Sequence, residues 1–276
     1  MCLIVFAWQT HPDFPLVLAA NRDEFHARPS APLGRWPTLP QVLGGRDLQA
    51  GGSWLGVADD GRFAALTNYR DGRQPPPRQP QSRGLLLRDY FNNVQQPVEY
   101  IEKIEPSVYA GFNLLLGDAG QLVYVTNAPS GLRVQPLLPG IYGVSNATLD
   151  TLWPKLVRAK TALTRALPGL HATDPASGFA ACFDFLADRA LTPDADLPDT
   201  GVPLDWERQL SAIFISGPEY GTRASTVLTR NRAGECRIHE KRFGPDGVFL
   251  GERQASSAPP LASRVKKYSD DKERDG

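Results

Sequence analysis

The sequence predicts an α+β protein whose sheets are mainly antiparallel. At least eight apolar segments with strand character occur in runs joined by short turns, and about four helical segments lie between those runs. Strands joined by short turns pair antiparallel, and separate runs of strands and helices are typical of the α+β class. The 276 residues allow one large domain or two small ones. We assign residues 1–252 to a single domain and the polar residues 253–276 to a disordered tail.

Composition argues against several classes of function. A formal net charge of zero provides no general basic surface for nucleic acid or an anionic membrane. No apolar segment reaches the ~20 residues of a membrane span, and no basic region precedes the first apolar run as in a signal peptide. The three cysteines, Cys2, Cys182 and Cys236, lack metal-ligand spacing. We therefore expect a cytoplasmic protein without a metal site.

The first predicted hairpin places a cysteine at the start of a buried strand. Residues 2–8 form an unbroken apolar run, rich in β-branched and aromatic side chains, which is typical of a strand buried on both faces. Turn-forming residues 11–15 follow, and residues 16–20 form the second strand. A turn centred near Asp13 puts Cys2 opposite residues 22–24. The hairpin thus brings a charged Arg-Asp-Glu segment to the sulfur.

This arrangement suits nucleophilic catalysis. Removal of Met1 would make Cys2 the first residue, and its α-amino group, with a pKa near ~8, could accept the thiol proton directly or through one water. The thiolate is the nucleophilic form of cysteine. A guanidinium would stabilise that thiolate, and a carboxylate would orient the amine. The alternative interpretation is a small apolar residue at a frayed terminus, followed by a solvated turn.

The next hundred residues predict the following elements. Residues 27–40 are rich in proline and predict an ordered loop over the site. Residues 54–58 and 62–67 predict a second hairpin, which ends at Asn68. The Pro-, Gln- and Arg-rich residues 71–83 predict a mobile excursion whose arginines serve solubility. Helical spacing then predicts helices over residues 85–93 and 97–104.

The remaining chain alternates between strands and helices. Helices are predicted over residues 154–167 and 178–189, with Cys182 in the core, and residues 191–204 predict a linker. Strands are predicted over residues 109–116, 122–126, 132–136, 140–145, 212–216, 224–229 and 236–243, the last as an edge strand, with Phe249 closing the set.

Five segments in order resemble the NRDE family, the transport and Golgi organisation protein 2 family. They are residues 20–25 (ANRDEF), 52–57 (GSWLGV), 65–70 (ALTNYR), 143–150 (GVSNATLD) and 220–228 (YGTRASTVL), and the resemblance extends over residues 1–251. It implies the N-terminal-nucleophile hydrolase fold, a four-layer αββα sandwich whose catalytic residue begins the first core strand. Relatives of the choloylglycine-hydrolase type cleave amide bonds of bile-acid conjugates and penicillin V.

The resemblance also implies roles for residues near the first hairpin. Cys2 matches the nucleophile and Arg22 the arginine that steadies the thiolate. Asp23 is the first candidate for the carboxylate beside the α-amine. The spacing departs from that of the relatives, whose acidic residue comes three positions after the arginine, where this chain has Phe25. Glu24 therefore stays an alternative.

Three distant residues complete the implied site. Asn68 matches an asparagine that helps form the oxyanion hole, and Asn146 matches one that also stabilises the tetrahedral intermediate or holds the amine. Arg223 matches a distal arginine near the nucleophile. As alternatives, both asparagines are turn caps and Arg223 forms a structural ion pair.

Two functions follow as hypotheses. The first is a hydrolase, with no required cofactor, that cleaves a non-peptide amide or thioester bond through a Cys2 acyl-enzyme. The second is non-enzymatic carriage of haem, a lipid or acyl-CoA in the same pocket, because family members have been implicated in haem trafficking and lipid homeostasis. His26 is then the candidate haem ligand. Both hypotheses imply a small-molecule partner with an acyl or apolar part, and both leave its identity and the oligomeric state open.

Overall fold

The computed structural model describes residues 2–93, 96–171 and 175–257, which contain thirteen strands and five α-helices. The strands of the first sheet are β1 Cys2–Trp8, β2 Leu16–Phe25, β10 Gly140–Val144, β11 Tyr220–Arg230, β12 Cys236–Phe243 and β13 Phe249–Ser256. Those of the second are β3 Ser30–Trp36, β4 Leu39–Asp47, β5 Leu55–Ala58, β6 Phe63–Asn68, β7 Phe112–Gly117, β8 Leu122–Thr126 and β9 Arg133–Pro136. The helices are α1 Gly84–Asn92, α2 Pro97–Ile101, α3 Pro154–Ala166, α4 Pro175–Leu186 and α5 Leu204–Leu210.

Both sheets are antiparallel throughout. Sheet A has the strand order β10-β1-β2-β11-β12-β13, and sheet B has the order β3-β4-β5-β6-β7-β8-β9. Sheet B is a meander in which each strand pairs with the next, whereas sheet A joins strands that are far apart in the chain. The predicted α+β class with antiparallel sheets is confirmed.

Side-chain alternation along β1 shows how the layers stack. Its even-numbered residues, such as Ile4 and Phe6, pack in the core between the two sheets. Its odd-numbered residues, such as Leu3 and Val5, pack beneath α3 and α4 together with the predicted core residue Cys182. A third core lies between sheet B and helices α1 and α2. Three cores between four layers make the αββα sandwich that the resemblance implied.

The predicted loop over residues 27–40 is wrong, because this segment forms β3 and the start of β4. Proline cannot donate a ladder hydrogen bond, but an edge strand or a bulge tolerates it. Strand β3 is the edge of sheet B, and Pro32 lies where its register with β4 shifts, between Ala31 and Gly34. Pro32 therefore occupies a position at which the strand ladder needs no N–H donor.

Other boundaries also differ. The predicted strand over residues 212–216 is absent: the N–H of Ile215 donates to the Thr222 hydroxyl and that of Phe214 to the carbonyl of Asp188. Helix α5 follows the predicted linker and was not predicted. Strand β12 is internal because β13 pairs with it as far as Ser256, so residues 253–256 belong to the sheet and not to the tail. Residues 258–276 of the predicted tail lie outside the described residues.

None of the helices in the described part of the chain is long and apolar enough to cross a membrane.

Candidate active site

The register of β1 and β2 sets the geometry around the sulfur. Cys2 pairs with Arg22, within the predicted range, and Leu3 pairs with Asn21. Directly opposed residues of an antiparallel pair share a face, and successive residues alternate between faces. Because Ala20 packs between the sheets, Arg22 and Glu24 follow it on that inner face, beside Cys2. Asn21 and Asp23 belong to the outer face, under the helices.

Cys2 lies in a cleft of about 280 Å³ between the ends of the two sheets. Sheet A contributes Cys2 and Arg22, while sheet B and its loops contribute Trp54 and Asn68. Residues 80–84, just before and at the start of α1, form the remaining wall. The cleft therefore collects residues from four separate parts of the chain.

The guanidinium of Arg22 is buried and only partly paired. Its Cζ lies 4.2 Å from the centroid of the Trp54 ring, and its Nη2 lies 3.9 Å from Glu24 Oε2. Its Nη1 is buried and has no hydrogen-bond partner among the described residues. A buried cationic donor of this kind can stabilise a thiolate or an oxyanion.

Burial raises the pKa of the Cys2 thiol, while the charge of Arg22 and a hydrogen bond from the Asp23 N–H lower it. Burial also raises the pKa of Cys182 to about 12 and that of Cys236 to about 11. Of the three thiols, Cys2 alone lines the cleft beside Arg22. It is therefore the thiol that an electrophile in the cleft would reach.

The outer face of β2 carries a second buried polar cluster. Asp23 Oδ1 accepts a hydrogen bond of 2.7 Å from the Thr222 hydroxyl. Burial raises the pKa of Asp23, and the nearby charge of Lys155 opposes that rise. Lys155, in the first turn of α3, is 3% exposed, and its Nζ donates to the carbonyl of Leu210 at 2.7 Å. Burial lowers the pKa of Lys155 to about 8, against the attraction of Asp23.

Asp23 and Glu24 thus occupy different environments. Glu24 lines the cleft, where its Oε2 lies 3.8 Å from Arg28 Nε, and Arg28 in turn pairs with Asp47 at 2.6 Å. Asp23 is enclosed, at 1% exposure. The side chains of the two candidate carboxylates lie on opposite faces of β2, although Asp23 also borders the cleft. Glu24 belongs to the chain of ion pairs along the cleft wall.

The two asparagines are neighbours but differ in position. Asn68 ends β6 and lines the cleft together with Cys2. Asn146, fully buried, lies behind it and donates from Nδ2 to the Asn68 carbonyl at 3.0 Å. The adjacent Ser145 donates from its hydroxyl to the Cys2 carbonyl at 3.1 Å. The structure therefore brings Asn68 to the cleft that contains Cys2, and one N–H of the Asn146 amide holds it there.

Arg223 and His26 lie outside this cleft. Arg223 sits at a bulge of β11, and its Nη1 donates to the carbonyls of Phe25, His26 and Arg28 at 2.8, 3.2 and 3.0 Å. It lines a smaller cavity on the other side of Arg22. His26 Nε2 lies 3.2 Å from the Gly217 carbonyl, and burial lowers its pKa. Arg223 thus anchors the turn after β2 in this structure.

The sequence analysis missed three residues of the site: Trp54, Arg83 and Lys155. Arg83, interpreted as a solubilising loop residue, lines the cleft and donates from Nη1 to the Gly111 carbonyl at 2.9 Å. Gly52 permits this wall to approach, because a Cβ there would lie 2.3 Å from the backbone of Gly84. In the sequence, Gly52 before Ser53 and Trp54 was the feature that could have indicated this close approach. For Lys155 it was a cation in the first turn of a helix, where the macrodipole disfavours it.

Comparison with known proteins finds a family match over most of the chain. The family described as "Transport and Golgi organisation 2" matches residues 1–245. The human "Transport and Golgi organization protein 2 homolog" is 33% identical over 257 residues, which cover 87% of this chain and 92% of the relative. The Drosophila melanogaster "Transport and Golgi organization protein 2" is 26% identical over 250 residues, which cover 83% and 87%.

Two solved structures are similar at low sequence identity. One is a Caenorhabditis elegans ortholog of N-acylethanolamine-hydrolyzing acid amidase, with a TM-score of 0.47 and 13% identity, covering 82% of this chain and 92% of that one. The other is the C2A mutant of a conjugated bile acid hydrolase from Clostridium perfringens, with a TM-score of 0.44 and 11% identity, covering 93% and 92%.

Proposed function

The chain belongs to the Transport and Golgi organisation 2 family, and we propose that this member is an N-terminal cysteine hydrolase of non-peptide amide or thioester bonds. The observation that supports the proposal is the pairing of Cys2 with Arg22 in one cleft, with the Nη1 of that arginine left without a partner in the described chain. A cation with a spare donor beside a thiol is the environment that activates a cysteine nucleophile.

The proposed reaction begins after Met1 is removed. The α-amine of Cys2 accepts the thiol proton, and the thiolate attacks the carbonyl carbon of the substrate. The carbonyl oxygen becomes an oxyanion, for which the Asn68 amide and the Arg22 Nη1 are the donors at the cleft; one such donor contributes roughly 3 kcal/mol. The intermediate collapses, the bond to the leaving amine or thiol breaks, and the α-ammonium returns its proton to that leaving group.

Water then resolves the acyl-enzyme. The α-amine takes a proton from the attacking water, the thioester to Cys2 breaks, and the thiolate recovers that proton. Asp23 follows Arg22, the residue that pairs with Cys2, and its negative charge would favour the protonated form of the amine. The cleft of about 280 Å³ is near the lower size of small-molecule pockets, which favours a compact acyl group over a polypeptide.

Carriage of haem, a lipid or acyl-CoA is the alternative for the same cleft. The candidate haem ligand, His26, has its Nε2 at the Gly217 carbonyl and lies outside the cleft. Titration with haemin separates the two hypotheses. A Soret shift that persists in Cys2→Ala and disappears in His26→Ala would support haem carriage.

The decisive experiment is the intact mass of the cytosolically expressed protein before and after iodoacetamide. We expect loss of one methionine and fast single labelling, which Cys2→Ala abolishes. Cys182 and Cys236, buried and without contact with the cleft, are internal controls that label only after unfolding. A panel of amides and thioesters then identifies the substrate. Retained Met1, or labelling of Cys2 no faster than that of free cysteine, would contradict the proposal.

A further inference from the structure

The turn between β12 and β13 carries an unusual apolar run. Val248, Phe249 and Leu250 are 59%, 56% and 53% exposed, and they are consecutive. The other large apolar side chains that are exposed in the described chain, such as Leu138 and Leu152, have no such neighbour in sequence. Single exposed apolar residues are ordinary, whereas contiguous ones mark an interaction surface.

The tip lies at the end of a hairpin. Leu250 is the extra residue of a bulge there, since the register of β12 with β13 shifts between Arg242 and Phe243. With Val248 and Phe249 it forms an exposed apolar hairpin end at the edge of sheet A. An apolar end of this kind can insert into the interface of a bilayer if its backbone groups are satisfied and cations lie beside it.

The backbone of the tip meets the requirement that a lipid interface imposes. Apolar surroundings cannot satisfy free N–H and C=O groups. Here the N–H of Gly244 donates to the Val248 carbonyl at 2.8 Å, and the N–H of Val248 donates to the Pro245 carbonyl at 3.1 Å. The N–H of Gly247 donates to the Gly244 carbonyl at 3.1 Å. The turn therefore carries internal partners for these donors.

Two arginines lie at the base of the tip. Arg242 Nη2 donates to the Leu250 carbonyl at 3.4 Å, and a Cβ on Gly247 would lie 2.6 Å from Arg189 Nη2. The Phe249 ring packs against Phe243 at 6.1 Å between centroids, which holds the tip in place. One carboxylate, that of Asp246, shares the turn with these two guanidinium groups. Cations below an apolar tip are suited to anionic headgroups.

We propose that residues 248–250 form a membrane-docking tip that inserts into the interface of a bilayer containing anionic lipid. Leu250 also lines the small cavity whose opposite wall is Arg22 and Trp54, the two residues that separate it from the Cys2 cleft. Docking would place the cleft close to the lipid surface, and this proposal stands whether or not Cys2 is catalytic.

The test is co-sedimentation of the full chain with phosphatidylcholine vesicles, with and without about 30% phosphatidylserine. We expect binding to the mixed vesicles, and a fall of about fivefold or more in the bound fraction for the triple variant Val248→Ser, Phe249→Ser, Leu250→Ser, because it removes the inserted apolar area. The control is Leu138→Ser with Leu152→Ser, which removes side chains that are 75% and 84% exposed elsewhere. It should bind as the unaltered protein does.

A charge variant sharpens the test. Arg189→Gln should weaken binding to the mixed vesicles by about fivefold, the effect of one cation near an anionic surface, and leave binding to neutral vesicles unchanged. The proposal is overturned if the unaltered protein stays in the supernatant, or if the triple variant sediments equally. It is also overturned if size-exclusion chromatography shows a dimer that the triple variant dissociates while vesicles bind neither form, since the tip would then join two copies.

Discussion

The two faces of β2 carry adjacent residues into opposite environments. On the inner face Arg22 and Glu24 meet a cleft that is open to solvent, and a donor of Arg22 has no partner in the described chain. On the outer face Asn21 is enclosed: its Nδ2 donates to the carbonyls of Leu186 and Ile213, and its Oδ1 accepts from Ser225. On the outer face the amide of Asn21 is hydrogen-bonded to the protein, whereas on the inner face the Nη1 of Arg22 has no partner among the described residues.

Residues 21–24 therefore contain side chains that stabilise the fold on one face and side chains that line the candidate site on the other. A buried amide with all its partners fixes the helix layer and the loop before β11 onto sheet A. A buried guanidinium with a spare donor is a cost to folding that a bound anion would offset. Substitutions on the two faces should therefore change different measurements.

The largest effect should come from Asn21→Ala. It leaves two buried carbonyls and the Ser225 hydroxyl without partners, so we expect the free energy of unfolding to fall by about 3 kcal/mol or more. Urea denaturation measures this. Labelling of Cys2 in the folded variant should stay within about twofold of the original rate, because Asn21 lies off the cleft. A stable variant would show that the outer face does not hold the layers together.

Arg22→Met should change the labelling rate of Cys2, the measurement that Asn21→Ala leaves nearly unaltered. Removing the cation beside the sulfur raises the pKa of Cys2, so we expect iodoacetamide labelling at pH 7 to slow by about tenfold. The matched control is Arg28→Met, which removes a guanidinium from the same cleft wall but one that pairs with Asp47. Equal slowing in both variants would mean that only the net charge of the cleft matters.

Lys155→Met tests the buried cation of the outer face. Burial lowers the pKa of Lys155 to about 8 in the folded chain, whereas its pKa in the unfolded chain is ~10.4. Between these values the unfolded chain binds more protons, so this lysine makes stability rise with pH. We expect the unaltered protein to gain stability relative to Lys155→Met from pH 8 to 10, measured by urea denaturation. A constant difference would show that Lys155 keeps its proton in the folded chain over this range, so that burial does not lower its pKa.

The smallest effect should come from Glu24→Gln. The Arg22 guanidinium then loses a carboxylate 3.9 Å away and acts more strongly on the sulfur. We expect labelling of Cys2 to quicken by about twofold, the scale of a partly exposed ion pair, and unfolding to change little. Slower labelling would instead indicate that Glu24 orients Arg22 toward Cys2.

The hairpin of the site could be predicted because its information is local. A turn at known positions and strict alternation fix which residue opposes Cys2, and the structure confirms Arg22 within the predicted range. The wall formed by residues 80–84 could not be predicted in this way, because it depends on the close contact of Gly52 with Gly84. Lys155 reaches Asp23 only through packing of α3 on sheet A.

Dependence on contacts that are distant in sequence also explains the two segments whose structure was predicted wrongly. Prolines in residues 27–40 indicate a loop when the neighbouring strand is unknown, but they are compatible with an edge strand once sheet B is assembled. Residues 212–216 have the apolar content of a strand, yet their N–H groups bond to a side chain and a distant carbonyl. Whether a segment forms a strand depends on its hydrogen-bond partners, and amino-acid composition alone does not reveal those partners.

The hydrogen bonds around Asn146 have a mechanical consequence. This residue follows β10 of sheet A, yet its Nδ2 binds the carbonyl of Asn68 in sheet B, and its own carbonyl accepts from the Arg70 N–H at 2.7 Å. Thr67 in sheet B likewise donates to the Ser145 carbonyl. These hydrogen bonds join the two sheets at the floor of the cleft, so they fix the width of the cleft there. A ligand that needs a wider cleft would therefore have to displace residues of the rim, such as residues 80–84, and not the floor.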